Sequence, residues 1–99
     1  MFPVNASLQF IPLQTTGHPY AVVDSVIALI QQSGLYCETG PFSTAVEGDF
    51  DAILQLLGQI RQFMENSHCR EWLLQVQFHV HADKPVTIAE KVRPLKNES

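Results

Sequence analysis

The chain has 99 residues, a length that fits one small domain. Its net charge of −4 at pH 7 argues against a nucleic-acid partner, which requires a basic face for the phosphates. Charged residues make up only 16% of the sequence, which is low for a globular protein. We therefore expect part of the surface to be covered by self-association.

Cys37 and Cys69 are the two cysteines of the chain, and their spacing fits neither a zinc motif nor a disulfide scaffold. We expect both to be reduced thiols. The sequence shows no secretory leader pattern and no apolar run long enough to span a membrane. These features predict a cytoplasmic protein with no membrane partner.

Two stretches alternate apolar and polar side chains, which is typical of a strand with one buried face. They are residues 2–10 and 72–81. Pro12 is expected to end the first strand in a loop, and residues 83–85 are expected to form a turn after the last strand.

The first helix is predicted to begin at Pro19, because proline suits the first helical turn. Thr16 or His18 is expected near its cap. Apolar residues then recur at helical spacing, and Gly34 is expected to close the helix in the left-handed conformation.

A hairpin and a second helix follow in the sequence. The hairpin strands are predicted at residues 35–38 and 42–46, joined through a turn at Gly40 and the proline after it. Asp49 is expected to cap the second helix. Gly58 lies inside that helix at a cost of roughly 1 kcal/mol relative to alanine, so we expect it to mark close packing.

The Thr87–Glu90 spacing is that of a capping box, which predicts a short C-terminal helix ending near Pro94. The elements then run strand, helix, strand, strand, helix, strand, followed by this short helix. This order predicts one α+β domain over residues 1–99 with a ferredoxin-like βαββαβ antiparallel sheet. Right-handed crossovers place the first and third strands in the centre and both long helices on one face.

Alternation also predicts which side chains share a face of the sheet. Those under the helices are expected to be Val4, Ala6, Leu8, Phe10, Leu74, Val76, Phe78 and Val80. The opposite face is mostly neutral and polar, and it carries Asn5, Ser7, Gln9, Ser43, Ala45, Glu47, Gln75, Gln77, His79 and His81. Thr44 points inward by parity, although a twist at the strand end could turn it outward. Two interpretations stay open: a solvated face, or a sheltered surface at a subunit interface or a small-molecule pocket.

Catalysis and metal binding receive little support from the sequence. His79 and His81 can act as two metal ligands from one side of a strand, but no third ligand stands at a recognisable spacing, so we expect no metal. The sequence has no nucleophile elbow and no phosphate-binding glycine-rich loop. Glu47 and His79 can act as an acid–base pair only if they converge, which nothing in the sequence indicates. We therefore expect no enzyme activity.

The sequence resembles the YkoF-like thiamine-binding proteins over nearly its whole length. The segments that carry the resemblance are residues 6–13, 33–35, 40–49 and 83–92. Its most specific part is the Thr-x-x-Glu-Gly element formed by Thr44, Glu47 and Gly48, with Ser7 at the small polar position of the first strand. The resemblance implies a ferredoxin-like domain that assembles into homodimers or homotetramers. It also implies that thiamine or its hydroxymethylpyrimidine half is bound without being transformed.

An aminopyrimidine ligand suits the predicted polar face. A carboxylate such as Glu47 can accept a charge-assisted hydrogen bond from the exocyclic amine or from a protonated ring nitrogen. The alternative for Glu47 is a structural carboxylate that accepts backbone N–H bonds near a turn. Apolar contact is expected from an aromatic side chain (Phe10, Phe42 or Trp72). The predicted ligand-binding residues are Ser7, Gln9, Ser43, Thr44, Glu47, Gln77 and His79.

The sequence therefore predicts a small-molecule binding protein that acts as a carrier, buffer or sensor, with no cofactor besides its ligand. Two alternatives remain. One is an oligomeric interaction protein without a small ligand. The other is an enzyme that acts on a pyrimidine compound through Glu47 and His79.

Overall fold

The computed structural model describes residues 2–15, 17–40 and 42–91. In chain order it contains β1 (Val4–Thr15), α1 (Pro19–Gln31), β2 (Tyr36–Thr39), β3 (Thr44–Gly48), α2 (Phe50–Glu65) and β4 (Cys69–His79). Residues 88–91 are also helical. The strands form one antiparallel sheet in the order β2-β3-β1-β4. This confirms the predicted α+β ferredoxin-like arrangement, with the first and third strands in the centre.

Cross-strand pairing fixes which side chains share a face, because directly opposed residues in an antiparallel pair point the same way. Ala6 pairs with Val46 and Phe78, and all three pack into or against the core under the helices. Leu8 pairs with Thr44, so Thr44 points inward, and it is only 4% exposed. The core consists of buried side chains from the sheet and both helices: Val4, Ala6, Leu8, Val26, Ile30, Val46, Ile53, Leu56, Ile60, Met64 and Cys69.

The first strand is longer than predicted, because Pro12 does not end it. Pro12 pairs with Trp72 in a part of β1 that contacts β4 alone, since β3 reaches only Leu8. The register shifts on either side of Gln14. Sheet edges and bulges tolerate the missing N–H of proline. The strand therefore continues to Thr15.

The last strand begins at Cys69 and ends at His79, which corrects two predictions for the residues that follow. Val80 was expected under the helices, but it lies beyond β4 and is 54% exposed. His81 was expected on the strand, but its Nδ1 accepts a hydrogen bond of 3.0 Å from the backbone nitrogen of Asp83 in the next turn. The two histidines therefore do not share a strand.

The hairpin strands lie slightly later in the chain than predicted, since β2 begins one residue later and β3 two residues later. The backbone nitrogen of Gly40 donates to the carbonyl of Ser43 over 2.8 Å and closes the turn. Pro41, which the sequence places in this turn, lies outside the described residues. The later start of β3 keeps the inward parity of Thr44 that alternation predicts.

The first helix begins and ends as predicted. Its N-cap is His18, whose Nδ1 accepts a hydrogen bond of 3.3 Å from the backbone nitrogen of Tyr20. Thr16, the other predicted cap, lies outside the described residues. Gly34 has a φ of +86°, which confirms the left-handed residue after the helix.

The second helix differs from prediction at two positions. Asp49 occupies the N-cap position of α2, but its side chain makes no capping hydrogen bond. Gly58 is exposed, and a methyl group added to it would meet no atom within 4 Å, so the prediction of close packing is wrong. Within the described ranges, no helix combines the length and apolar character that a membrane span requires.

Candidate ligand-binding cleft

Outward-facing side chains form rows across the face of the sheet that lies away from the helices. The row at one end consists of Tyr36, Glu47, Asn5 and His79, and the next row consists of Glu38, Ala45, Ser7 and Gln77. Each row takes one residue from each of the four strands. The predicted polar residues of β1, β3 and β4 therefore do lie on one surface.

Residues 86–91, which we call the C-terminal strap, cross this polar face. The backbone nitrogen of Val86 donates to the carbonyl of Pro3, and Asn5 Nδ2 donates to the carbonyl of Val86, both over 3.0 Å. Val86 and Ile88 are only 5% and 3% exposed. The strap thus shelters part of the polar face, and Asn5 is 3% exposed although it points away from the helices.

Glu47 of β3 anchors the strap. Its Oε1 accepts a hydrogen bond of 2.6 Å from the backbone nitrogen of Ile88, across 41 positions of sequence. Thr87 Oγ1 accepts from the backbone nitrogen of Glu90 over 3.2 Å, so Thr87 caps the helical residues 88–91 as predicted. Free N–H groups at a helix start favour a carboxylate partner. The contact is the structural role that the sequence left open for Glu47.

An open cleft of about 570 Å³ lies on the polar face beside the strap. Its volume is within the usual range for small-molecule sites, roughly 300 to 1,000 Å³. Strands, hairpin and strap all contribute to its lining: Asn5, Ala6, Ser7, Glu38, Thr39, Gly40, Ser43, Ala45, Gln77, Phe78, His79, Ile88 and Lys91. The cleft therefore combines neutral polar groups with one carboxylate and one ammonium group.

Asn5, one of the residues that line the cleft, carries an unsatisfied buried acceptor. Among the side chains that the structure describes, Asn5 Oδ1 is the buried nitrogen or oxygen atom that lacks a hydrogen-bond partner. The amide orientation is set by Nδ2, which donates to the carbonyl of Val86. An unpaired buried acceptor costs about 1–3 kcal/mol. A hydrogen-bond donor that reached Oδ1 would remove that cost.

Four of the predicted site residues line the cleft: Ser7, Ser43, Gln77 and His79. Gln9 lies in an adjoining cavity of about 300 Å³, which Ser7, Ser43 and Gln77 also line. The structure thus brings five of the seven predicted residues to one connected polar surface. Their contact with a ligand stays a prediction.

Thr44 and Glu47 are not among the residues that line the cleft, and their contact with a ligand also stays a prediction. Thr44 faces the helices and lines a smaller cavity of about 160 Å³ beneath α1. Glu47 Oε1 accepts its hydrogen bond from the strap. A methyl group at Gly48 would stand only 2.7 Å from Leu35 Cδ2, so the end of the Leu35 side chain would have to move to make room for it. All three residues of the Thr-x-x-Glu-Gly element therefore contact other parts of the protein.

The expected aromatic contacts are also placed differently. Phe10 and Trp72 pack against each other and against the core, with ring centroids 5.9 Å apart, and neither lines the cleft. Phe42 is 82% exposed and borders the adjoining cavity next to Gln9. Phe42 is thus the predicted aromatic that lies near the polar surface.

Sequence reasoning missed several residues of the cleft. Asn5 was placed on the correct face, but nothing local singled it out, because its burial depends on the strap. Ile88 and Lys91 reach the cleft only because the chain folds back across the sheet. Glu38 was also missed, although strand pairing places it on the polar face. It pairs with Ala45, which lies two residues before Glu47 on β3 and therefore faces the same way.

Glu38 is held by a neighbour on its own strand. The hydroxyl of Tyr36 donates to Glu38 Oε1 over 2.7 Å. This hydrogen bond is the main cause that raises the pKa of Tyr36 above its ordinary value. The same contact orients the Glu38 carboxylate at the edge of the cleft.

The acid–base pair considered from the sequence is not assembled. Asn5 of β1 pairs with Glu47 on one side and with His79 on the other, so a whole strand separates the two. Two strand spacings amount to roughly 10 Å. In the described part of the chain, no three His, Cys, Asp or Glu side chains converge as a metal site would require.

Known proteins resemble this chain in sequence and in structure. A UPF0045 protein of Clostridium perfringens is 40% identical over 53 residues, which cover 54% of this chain and 56% of that protein. The match therefore spans little more than half of that relative. A domain of unknown function (DUF77) from Bacillus cereus is 31% identical, with a TM-score of 0.88 over 98% of this chain and 93% of that one.

A candidate thiamine biosynthesis/salvage protein from Thermotoga maritima is 29% identical, with a TM-score of 0.85 over 94% of this chain and 98% of that one. The sequence model of the thiamine-binding protein family matches residues 6–96, which is nearly the whole chain and every residue of the cleft lining except Asn5. The resemblance noted in the sequence is thereby confirmed. The chain belongs to the thiamine-binding protein family.

Proposed function

We propose that this protein binds thiamine, or its hydroxymethylpyrimidine half, in the cleft on the polar face and releases it unchanged. Family membership supports a thiamine-related role. The observation that carries the proposal is Asn5, which lines the cleft and holds a buried acceptor without a partner. The exocyclic amine of an aminopyrimidine is a donor that pairs with such an acceptor.

The other groups of the cleft match the remaining features of the ligand. Ser7 and Gln77 are cross-strand neighbours on the cleft floor, and both offer donors and acceptors for ring nitrogens. Ile88 supplies an apolar wall for the flat ring. Glu38 supplies a negative charge for the permanently positive thiazolium, in keeping with the acidic chain as a whole.

A homodimer or homotetramer in the cytoplasm, acting as a carrier, buffer or sensor, belongs to the same proposal. Exposed apolar side chains near the polar face support a second copy as a cover: Leu73 is 45% exposed and Phe42 is 82% exposed. Free thiols at Cys37 and Cys69 suit a reducing compartment. The exposed apolar side chains also favour the second candidate, an oligomeric interaction protein without a small ligand.

Calorimetric titration with three compounds tests the proposal. Thiamine and hydroxymethylpyrimidine should both bind. Oxythiamine carries a carbonyl oxygen in place of the amine, so it presents an acceptor to the Asn5 acceptor and should bind at least about tenfold more weakly. If thiamine and hydroxymethylpyrimidine give no heat at large ligand excess, the binding proposal is refuted.

Two further measurements test separate parts of the proposal, namely the role of Asn5 and the release of the ligand unchanged. Equal affinity for thiamine and oxythiamine would show that Asn5 does not read the amine. Chromatography of the ligand after long incubation should recover it unchanged. A converted product would instead support the enzyme alternative.

A further inference from the structure

We propose that Glu47 is a positioning residue for the cleft: its carboxylate holds the C-terminal strap in place, and it does not contact the ligand. Only the expected effect of Glu47 on ligand binding rests on the proposed function. The effect of Glu47 on the strap can be measured without any ligand.

The first support is the position of the Glu47 side chain. Glu47 points to the polar face, opposite Asn5, but it is absent from the cleft lining. Its Oε1 stands 2.6 Å from the backbone nitrogen of Ile88, which is a short hydrogen bond. One oxygen of the carboxylate is thus engaged by the protein itself.

The second support is the order of contacts along the strap. Val86 is held by Pro3 and by Asn5, so these hydrogen bonds fix the point where the strap begins. Ile88 and Lys91, which form a wall of the cleft, come after that point. Within the described residues, the hydrogen bond that Glu47 accepts from Ile88 restrains this later part of the strap.

The third support is the chemistry of the contact. Thr87 caps residues 88–91, so the backbone N–H of Ile88 is one of the donors at the start of a helix that have no partner within the helix. A carboxylate there forms a charge-assisted hydrogen bond, about twice as strong as a neutral one. An amide at position 47 keeps the shape and an acceptor but loses the charge. The Glu47→Gln substitution should therefore loosen the strap without removing a packed side chain.

Amide hydrogen exchange measures the anchor directly. In Glu47→Gln, the Ile88 amide should exchange at least about tenfold faster than in the wild type, while the amides of α2 keep their protection. Asp24→Asn is the matched control, because Asp24 is an exposed carboxylate on α1, on the other side of the sheet. The control should leave exchange at Ile88 unchanged. Unchanged exchange at Ile88 in Glu47→Gln would overturn the inference.

A double-mutant cycle separates positioning from direct contact. Ile88→Pro removes the N–H that Glu47 accepts, and proline is well tolerated at the first helical position after an extended cap residue. Glu47→Gln should weaken thiamine binding about tenfold in the wild-type background and less than twofold in the Ile88→Pro background. An equal tenfold loss in both backgrounds would mean that the carboxylate touches the ligand, and the inference would be wrong.

The two proposals fail in different ways. Absence of thiamine binding by the wild-type protein refutes the proposed function, and the exchange measurement then decides the role of Glu47 by itself. If Ile88→Pro does not fold, Ile88→Ala measures how much of the instability comes from losing the packed side chain. The exchange rate of the Ile88 amide in Glu47→Gln then decides whether Glu47 holds the strap.

Discussion

Two glycines with equally open surroundings should respond in opposite directions to the same substitution. A methyl group added at Gly34 or at Gly58 meets no atom within 4 Å, so sterics do not distinguish the two sites. Gly58 lies inside α2, where alanine is favoured over glycine by roughly 0.8–1 kcal/mol. Gly34 has a φ of +86°, where a side chain costs about 1–2 kcal/mol.

We therefore expect Gly58→Ala to raise the free energy of unfolding by roughly 0.5–1 kcal/mol and Gly34→Ala to lower it by about 1 kcal/mol. For a domain of this size, 1 kcal/mol shifts the Tm by roughly 4–8 °C. Urea unfolding followed by circular dichroism measures both, and an unchanged m-value confirms that the unfolded reference is the same. A Gly58→Ala variant that is less stable than the wild type would refute the open environment described for this helix face.

Two more predictions test the sheet. Val76→Asp places a carboxylate against the core and should destabilise the domain by at least about 3 kcal/mol or unfold it. Gln75→Asp, on the opposite face of the sheet, should fold normally. Chemical denaturation compares the two variants, and equal stability would show that the parity assignment is wrong. The phenol of Tyr36 should titrate above its ordinary pKa, and Glu38→Gln should bring that pKa down towards the ordinary value, because the hydrogen bond to a carboxylate disappears. NMR titration of the Tyr36 ring measures the shift. A pKa unaffected by Glu38→Gln would contradict the stated cause.

Alternation predicted the face on which most sheet residues lie, because the period of two is a local property of extended backbone. It correctly placed Thr44 under the helices and Ser7 and Gln77 on the polar face. Strand ends were harder, since they depend on partners. Pro12 remains in β1 because only β4 pairs with it there, and Val80 lies outside β4 because the pairing stops at His79.

The composition of the site could be predicted only in part, for a related reason. The polar floor follows from single strands, so Ser7 and Gln77 were identifiable from their own neighbours. The partner of Glu47 is 41 positions away, and no local pattern indicates that the strap folds back across the sheet. The same fold-back buries Asn5 and brings Lys91 to the cleft. Residues defined by tertiary contact were therefore missed or given another role.

The most direct test of the account is a crystal structure of the protein with hydroxymethylpyrimidine bound. We predict the ring in the cleft between the strap and the β2–β3 hairpin, with its exocyclic amine within hydrogen-bond distance of Asn5 Oδ1 and the contact between Glu47 and Ile88 still in place. A ring bound elsewhere, such as the helix-side cavity lined by Thr44, would contradict it, as would an amine that faces away from Asn5.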